Sequence, residues 1–556
     1  MTTVADYVVS RLEQTGVSHV FGVPGDYVLD FLDRIVESPL ELVNTCNELD
    51  AGYAADGYAR IRGISAVVVT YGVGGLSVLN AVAGAYAERV PMVVISGAPH
   101  SRLRHDQVMV HHLVENYQTQ INAFRQVTAF AEMLADAGRA PEQIDRAVKT
   151  CLRTKRPVYI EIPVDLVGQQ CSEPSATLDD GDHRSNPEAL AEAVAEAASM
   201  LAGALRPAVF IGMEVRRFQL LQQVTALLEK GGYPVATTIG GKTAIAETHP
   251  HYVGVYQGGF SEGLAHDTIE QADVLLCLGA WMTDITTGGF TAHLDPDRMI
   301  NANADRIRIR HHFYEQVFLD DFIQGLTSAI AAAGEPAHRH TPPPYIVGGI
   351  RRPEPERQLT VARFFERISS FLDNSMIVVS DTGDVMFGST GLHREEPESY
   401  FAQDYYLSIG YSLPAALGLG LAARDKRPVV LIGDGALQMT AQELSTICRY
   451  SVNAIVFVLN NSGYVTERLI HDGVYNEIHP WAYHRLPEAL GCPAGILART
   501  EGELETALEA AVQRSREPVL VEVVVGRMDS SETLSRVGEQ IRKLSRTAGT
   551  SQSIRR

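Results

Sequence analysis

Two short polar motifs in this chain carry oxygen ligands that suit a divalent cation bound beside a phosphate. Gly-Asp-Gly, at residues 433–435, follows a β-branched run, and Asn460 and Asn461 end a second apolar run. Both runs are typical of buried parallel strands. The sequence of residues 441–450, between the two runs, is typical of a helix. Because open α/β sheets bind ligands at the carboxyl ends of their strands, Asp434 and Asn461 are expected to lie together. Mg2+ prefers such oxygens and usually takes others from phosphate, so the pattern predicts a magnesium–phosphate site.

Five titratable side chains elsewhere are candidates for moving protons. Glu48 begins a helix-like segment, Asp26 follows a strand-like one, His111 and His112 are adjacent, and Glu467 follows the Asn-Asn motif. Each has an ordinary structural alternative: an acidic first helical turn, an N-cap, a surface loop and a solvated helix face. Gathered beside a cleft, however, they would form the set of groups that a proton relay requires.

The elements that would position these residues alternate along the chain. With 556 residues the chain is too long for one hydrophobic core. Strand-like and helix-like segments alternate in three stretches, separated by polar or proline-containing stretches at residues 172–187 and 335–357. This pattern predicts an α/β fold of three doubly wound parallel-sheet domains in series. Their predicted bounds are residues 1–171, 188–334 and 358–535, followed by a tail at 536–556 that forms a helix and then disorder.

Composition excludes several classes of function. With 47 basic and 67 acidic side chains the net charge is −20, which argues against binding nucleic acid or anionic membranes. Six scattered cysteines without a Cys-x-x-Cys pair indicate reduced thiols rather than a disulfide or zinc framework. The first residues lack a signal-peptide pattern, and the apolar runs are only strand-sized. We therefore expect a cytoplasmic protein without a membrane span.

The order of these motifs resembles the thiamine-diphosphate (ThDP)-dependent 2-oxo acid decarboxylases, in the group of pyruvate and indolepyruvate decarboxylases, over nearly the whole chain. The resemblance implies a pyrimidine-binding domain, a non-catalytic Rossmann-like middle domain and a diphosphate-binding domain, with ThDP and Mg2+ as cofactors. It further implies an active site shared between two subunits, hence at least a homodimer and, by analogy, a homotetramer. We see no dinucleotide fingerprint in the middle domain and expect no flavin.

The resemblance also assigns roles. Glu48 matches the glutamate that activates the pyrimidine ring, and Asp26, His111, His112 and Glu467 match the catalytic relay. Cofactor contacts fall on Glu48, Thr382, Asp384, Leu407, Ile409, Gly433, Asp434, Gly435, Ala436, Asn461 and Gly463. Within that set Asp434, Asn461 and Gly463 are the metal ligands, Leu407 offers a carbonyl to the 4′-amino group, and Ile409 is the wedge that bends ThDP.

Substrate preference is predicted from four pocket positions, which are Ile285, Met386, Thr466 and Ile470. Pyruvate-specific relatives fill such positions with larger side chains, so this pocket is expected to be wider and adaptable. We therefore expect decarboxylation of an aromatic 2-oxo acid, indolepyruvate or phenylpyruvate, to its aldehyde through an enamine. The alternative is an acyloin synthase, a carboligase that couples the decarboxylated acid to a second carbonyl compound. A non-catalytic cofactor-binding subunit is a weaker alternative, because Glu48 and Glu467 are both present.

Overall fold

The computed structural model describes residues 2–174, 177–178, 184–261, 263–333 and 351–552. Parts of both predicted linkers, residues 175–176, 179–183 and 334–350, and the end of the predicted tail, 553–556, lie outside this range. Three large sheets follow one another along the chain, each within one predicted domain. The prediction of three α/β domains built on parallel sheets is confirmed.

The N-terminal domain is built on a six-stranded parallel sheet of order β3-β2-β4-β5-β7-β6. Its strands, with the small β1–β8 pair at the start and end of the domain, are β1 Thr2–Thr3, β2 His19–Gly22, β3 Glu41–Asn44, β4 Ser65–Val69, β5 Met92–Ala98, β6 Phe130–Met133, β7 Val158–Pro163 and β8 Gln170–Cys171. Its helices are α1 Val4–Gln14, α2 Leu29–Val36, α3 Glu48–Arg62, α4 Val73–Ala87, α5 Ser101–His105, α6 Thr119–Phe124 and α7 Ala140–Thr154.

The middle domain has a seven-stranded sheet of order β11-β10-β9-β12-β13-β14-β15. Its strands are β9 Pro207–Ile211, β10 Val235–Thr237, β11 Tyr252–Val255, β12 Val274–Leu278, β13 Met299–Asn303, β14 Arg306–Ile309 and β15 His312–Glu315. Its helices are α8 Pro187–Ala202, α9 Met213–Arg217, α10 Leu221–Gly231, α11 Leu264–Glu270 and α12 Leu319–Ala333, with a 3-10 turn at Pro296–Arg298. The strands β14 and β15 run antiparallel to their neighbours and were not part of the sequence prediction.

The C-terminal domain has a six-stranded parallel sheet of order β17-β16-β18-β19-β21-β20. Its strands are β16 Met376–Ser380, β17 Tyr400–Ala402, β18 Arg427–Gly433, β19 Ile455–Asn460, β20 Ile496–Ala498 and β21 Val519–Val524. Its helices are α13 Val361–Phe371, α14 Asp384–Ser389, α15 Ser412–Ala422, α16 Asp434–Thr440, α17 Leu444–Arg449, α18 Val465–Ile470, α19 Leu486–Ala489, α20 Glu501–Gln513 and α21 Glu532–Gln552. Short 3-10 turns cover Ala441–Glu443, Val474–Asn476 and Tyr483–Arg485, so the helix predicted at 441–450 is in fact a turn followed by α17.

The N- and C-terminal sheets share one topology. When the six strands of each sheet are counted in chain order, from β2 or from β16, the first lies between the second and the third. The sixth lies between the fourth and the fifth. The strand order therefore reverses between β2 and β4 in one sheet and between β16 and β18 in the other. Ligands of doubly wound sheets bind at this switch point, beside the carboxyl ends of the two strands. The fold thus provides two equivalent crevices, one in each domain.

The two similar domains are joined by a close crossing of α3 and α15. Asn47 caps the start of α3 by accepting a hydrogen bond from the Asp50 amide. Where the helices cross, a Cβ on Gly57 would lie 2.2 Å from the Ala415 carbonyl oxygen, and one on Gly418 would lie 1.8 Å from the Ala54 carbonyl oxygen. Only glycine permits this approach of the two backbones.

A buried charge network ties all three domains together. The Arg60 guanidinium donates to Asp56 at 2.5 Å, to Glu88 at 2.7 Å and, in the C-terminal domain, to the Ala402 carbonyl at 2.9 Å. From the middle domain, Arg217 donates to the Glu88 carbonyl at 3.0 Å. The Arg60, Asp56 and Glu88 side chains are each at most 2% exposed, so none of these charges can be solvated by water instead.

The helix predicted at the start of the tail corresponds to α21, whose Leu534 and Val537 are buried in the domain core and whose Gly538 packs against Leu469 of α18. One expectation about the C-terminal domain needs correction, because Cys448 and Cys492 form a disulfide with Cα atoms 5.9 Å apart, contrary to the expectation of reduced thiols throughout. Their distance in sequence hid the pairing, because the fold alone brings α17 against the loop after α19. In the described part of the chain, no helix is long and apolar enough to cross a bilayer.

The charge network predicts a large stability loss for Arg60→Gln. Glutamine would leave Asp56 buried without its cation and Glu88 with only the more distant Arg217, at 3.9 Å, which costs about 3–5 kcal/mol of unfolding free energy. Thermal and urea unfolding followed by circular dichroism measure this loss. Arg62→Gln, at an exposed position on the same helix, is the matched control and should change stability by at most about 0.5 kcal/mol. Equal stability of the two variants would contradict the role given to Arg60.

Candidate active site

In the N-terminal domain, two of the predicted proton-transfer residues, Glu48 and His112, lie against the turn at residues 70–74, just after β4. A Cβ on Gly72 would lie 2.3 Å from the His112 carbonyl oxygen, and a Cβ on Gly74 would lie 3.3 Å from Glu48 Oε1. Glu48 itself begins α3 and is half-buried. The carboxylate and the histidine segment therefore meet at the start of α4, beside the switch point of this sheet.

Asp26 and the two histidines form one cluster. His111 Nε2 lies 2.5 Å from Asp26 Oδ2, and its ring stacks on Tyr27 with centroids 4.8 Å apart. The His112 ring meets the His111 ring edge-on at 4.7 Å. His112 also has a left-handed backbone, with φ of 66°, and its buried Nδ1 has no hydrogen-bond partner among the described residues. The structure thus brings Asp26, His111 and His112 together as the sequence predicted.

In the C-terminal domain, the predicted cation ligands meet at the carboxyl ends of β18 and β19. Asp434 Oδ1 accepts a hydrogen bond from the Gly435 amide at 2.8 Å, and Oδ2 accepts one from the Gly463 amide at 2.9 Å. Burial raises the pKa of the Asp434 carboxyl to about 6. Asn461 is 4% exposed, yet its Oδ1 has no hydrogen-bond donor within the described structure. A buried carboxylate beside an unsatisfied amide oxygen is a donor set that fits Mg2+.

Arg468, which the sequence analysis missed, holds the cation-site loop in place. Its guanidinium donates to the Asn461 carbonyl at 3.1 Å and to the Ser462 carbonyl at 2.5 Å, and it pairs with Glu477 at 3.1 Å. Its side chain is completely buried. These bonds fix a loop in which Ser462 has the left-handed φ of 61°. The sequence signal for this role was the arginine directly after Glu467. On a helix, however, a charged residue at that position indicates only a solvent-facing side chain.

Asp381 begins the turn that contains the predicted Thr382 and Asp384, but the sequence did not indicate its own role, which is to join the two loops that flank the cavity. The fully buried carboxylate accepts hydrogen bonds from the Gly410 amide at 3.0 Å and the Ser412 amide at 2.8 Å. Desolvation raises the pKa of its carboxyl to about 6. The bonds support a strained segment in which Leu407 has φ of 59°. Thr382, the next residue, has a buried Oγ1 for which the described residues offer no partner.

These loops enclose a cavity of about 100 Å3. Among the sequence-predicted residues, its lining includes Thr382, Asp384, Ile409, Gly433, Asp434, Gly435, Ala436, Asn461, Gly463, Thr466 and Glu467. Asp384, at the start of α14, also accepts a hydrogen bond from the Ser531 hydroxyl at 2.6 Å, and burial raises the pKa of its carboxyl to about 6. The diphosphate half of the predicted site is therefore assembled within one chain.

The remaining predicted residues do not line this cavity. Met386 is fully buried in the core of the C-terminal domain, and Leu407 and Ile285 pack partly buried against that core. Ile470, at the end of α18, is half-buried. Glu48, with the cluster around Asp26, belongs to the other domain and is also absent from the lining. The predicted catalytic and cofactor-binding residues of one chain therefore lie in two groups, one in the N-terminal domain and one in the C-terminal domain.

Comparison with known proteins agrees with this architecture. Residues 2–124 match the thiamine pyrophosphate enzyme N-terminal TPP binding domain, residues 194–324 the central domain and residues 381–523 the C-terminal TPP binding domain. The benzoylformate decarboxylase from Polynucleobacter necessarius superimposes with a TM-score of 0.81, covering 96% of this chain and all of that one, at 18% identity. A putative thiamin diphosphate-dependent enzyme from Mycobacterium smegmatis gives a TM-score of 0.78 over 94% of this chain and all of that one, at 20% identity. These two similarities concern the fold alone.

Relatives with higher identity carry one name. The alpha-keto-acid decarboxylase of Mycolicibacterium paratuberculosis is 38% identical over 95% of this chain and 94% of its own length. The protein of the same name from Mycobacterium tuberculosis is 36% identical over 96% of both chains. With three matching domains and full-length relatives, this chain belongs to the thiamine pyrophosphate enzymes, in the group of the alpha-keto-acid decarboxylases.

Proposed function

We propose that this protein uses ThDP and Mg2+ to decarboxylate a 2-oxo acid non-oxidatively to its aldehyde, with preference for an aromatic acid. The observation that carries the proposal is the buried, unsatisfied Asn461 Oδ1 beside the Asp434 carboxylate at the carboxyl ends of β18 and β19. Buried polar atoms without partners are rare in folded proteins, and this pair has the chemistry of a Mg2+ site. The name of the related alpha-keto-acid decarboxylases supports the choice of reaction.

The residues present fit the cofactor. Asp434 and Asn461, with Gly463, would hold Mg2+, and the unpartnered Thr382 Oγ1 would bond the diphosphate. The surroundings of Gly433 are open, because a Cβ there would meet no atom within 4 Å. When bound, ThDP would supply the carbon nucleophile and the electron sink for the bonding pair that remains on the substrate carbon when CO2 departs. The protein would anchor ThDP, bend it and protonate the product.

Two loop residues and one acid would orient the cofactor. Ile409 reaches into the cavity from the segment fixed by Asp381, which suits the wedge role predicted for it. Leu407 holds a left-handed backbone, a strain that proteins maintain where a backbone group is required in a fixed direction. Glu48, at the end of α3 that lies nearest the start of α4, would hold a proton at the pyrimidine ring nitrogen.

Proton transfer to the product is assigned to exposed groups. The Asp26 and His111 side chains are 50% and 60% exposed, and Glu467 is exposed at the mouth of the cavity. A carboxylate 2.5 Å from an imidazole nitrogen can pass a proton along the pair. Together with His112 these groups would deliver the proton that completes the aldehyde.

A second copy of the chain is needed to complete this site. The cavity holds about 100 Å3 and is lined by the C-terminal domain alone, whereas small-molecule sites usually enclose about 300–1,000 Å3. We propose that the N-terminal domain of a partner subunit covers it and contributes the partner's Glu48 and relay cluster. A homodimer is then the smallest active unit, and a homotetramer and a cytoplasmic location remain predictions.

Substrate preference gives the first prediction of the proposal. The wild-type enzyme should show a higher kcat/KM for phenylpyruvate or indolepyruvate than for pyruvate, measured by product mass spectrometry. Thr466→Phe should reduce the aromatic kcat/KM at least about tenfold and spare pyruvate, because Thr466 lines the cavity. Thr506→Phe, at an exposed position of α20, is the control.

A strong preference of the wild-type enzyme for pyruvate would contradict the wide pocket. If acyloins rather than aldehydes dominate when a second carbonyl compound is added, the carboligase alternative is correct. If no 2-oxo acid yields CO2, the proposed function itself is wrong.

Magnesium affinity gives a pH-dependent prediction. Mg2+ requires the Asp434 carboxylate, and burial raises the pKa of this group to about 6. A proton therefore competes with the cation below that pH, and Mg2+ affinity should fall about tenfold from pH 7 to pH 5. Calorimetric titration of Mg2+ in the presence of ThDP measures the change.

Asp434→Asn should abolish both the tight binding and its pH dependence. Asp472→Asn, an exposed acid after α18, should preserve both. An affinity that stays constant between pH 7 and pH 5 in the wild-type protein would show that Asp434 is not a ligand.

A further inference from the structure

A cavity of about 520 Å3 lies on the antiparallel edge of the middle sheet and shares no residue with the candidate active site. One face of β13, β14 and β15 forms its floor, where Asn301 stands opposite Arg308 and Arg308 opposite Phe313. The other face of the same strands, with Ile300 and Ile307, is buried in the domain core. We call this site the edge cavity; it is lined chiefly by Trp281, Phe290, Asn303, Arg306, Arg308 and Phe313.

The edge cavity is locally cationic in a chain of net charge −20. The guanidinium carbons of Arg306 and Arg308 lie 5.6 and 6.0 Å from the centre of the Phe313 ring. Glu315 is the register partner of Arg306, yet within the described ranges neither arginine forms an ion pair. Two unneutralised guanidinium groups beside one aromatic ring favour an anionic ligand.

Two polar atoms of the edge cavity lack the partners that their burial requires. Arg308 Nε, a donor, and Asn303 Oδ1, an acceptor, are both buried and find no hydrogen-bond partner in the part of the chain that the structure describes. Leaving such groups unsatisfied is unfavourable, because each has lost its hydrogen bonds to water without a replacement. A ligand that satisfies both must offer an acceptor and an N–H or O–H donor.

The walls of the edge cavity are aromatic. Tyr405 packs against Trp281, and the two rings meet perpendicularly with centroids 5.5 Å apart. Phe290 is 76% exposed, which is unusual for so large an apolar side chain. A fixed indole and an exposed phenyl ring offer stacking surfaces to a flat heterocycle.

We propose that the edge cavity binds a purine nucleotide with an exocyclic amino group, of the adenosine phosphate class. The base would stack on the aromatic walls, its amino group would donate to Asn303 Oδ1, and the phosphate would pair with Arg306 and Arg308. The volume lies within the range of about 300–1,000 Å3 typical of such ligands.

This position differs from the crevice in which doubly wound sheets bind dinucleotides. In this domain that crevice lies between β9 and β12, where the strand order reverses. Backbone hydrogen bonds from Gly212 to Leu278 and from Glu214 to Gly279 already span it. The edge cavity instead opens at the other edge of the sheet, where β13, β14 and β15 pair antiparallel. No motif in the sequence indicated a ligand site on these three strands.

The test follows Trp281 fluorescence in the full-length protein. The chain contains two tryptophans, so Trp481→Phe leaves Trp281 as the only indole. Titration with AMP and with ADP should change its emission saturably. Arg308→Gln should weaken binding at least about tenfold, because a charge-assisted hydrogen bond is lost. Arg306→Gln, at an exposed position, should weaken it as well, and ribose 5-phosphate should bind less tightly than AMP.

Arg310→Gln is the matched control, since Arg310 is exposed next to the same hairpin and lies outside the cavity lining. The Arg310→Gln variant should bind AMP as tightly as the Trp481→Phe protein does. Absence of a saturable signal at millimolar AMP, or equal affinity in the Arg308, Arg306 and Arg310 variants, would overturn the proposal. A change in subunit number caused by Phe313→Glu, measured by sedimentation, would also overturn the proposal. It would show that a second copy of the chain covers this face in the wild-type protein.

Discussion

The cost of burying the Asp434 carboxylate beside the Asn461 amide is the constraint on which the rest of this structure depends. Both groups lie where two parallel strands end, out of contact with water, and the protein supplies only part of their hydrogen bonds. Arg468 and Asp381 add further buried charge to hold the surrounding loops. The proposed cation and its anionic partner would complete this arrangement and stabilise it, because isolated buried charges and unpaired amides are expensive.

A second constraint follows from the repeated topology of the outer domains. Each of the two sheets carries one group of candidate residues at the carboxyl ends of its strands: carboxylate and imidazole groups in the N-terminal domain, and candidate oxygen ligands in the C-terminal domain. The α3–α15 crossing and the Arg60 network fix how the two domains of one chain meet. In that arrangement the predicted relay residues around Asp26 do not line the cavity, which is why the proposed function includes a second subunit.

The sequence predicted those features that depend on local pattern. Alternating strands and helices predicted the parallel sheets, and the spacing of Asp434 and Asn461 predicted their meeting, because strand ends necessarily share one edge. Features that depend on three-dimensional packing were not predictable. The roles of Arg468 and Asp381 arise from backbone groups distant in sequence, the Cys448–Cys492 disulfide from the packing of α17, and β14 and β15 carry no α/β signal. Met386 occupies the core although its motif predicted the pocket, because α14 directs it inward.

The most direct measurement of the central claim is activity complementation between two inactive variants, Glu48→Gln and Asp434→Asn. If each active site joins the N-terminal domain of one subunit to the C-terminal domain of the other, every mixed dimer contains one intact site. Co-expressed variants should then regain about a quarter of wild-type 2-oxo acid decarboxylation, given random pairing. Recovery of no activity by mixed dimers that are shown to form would contradict the account, since it would place each site within a single chain.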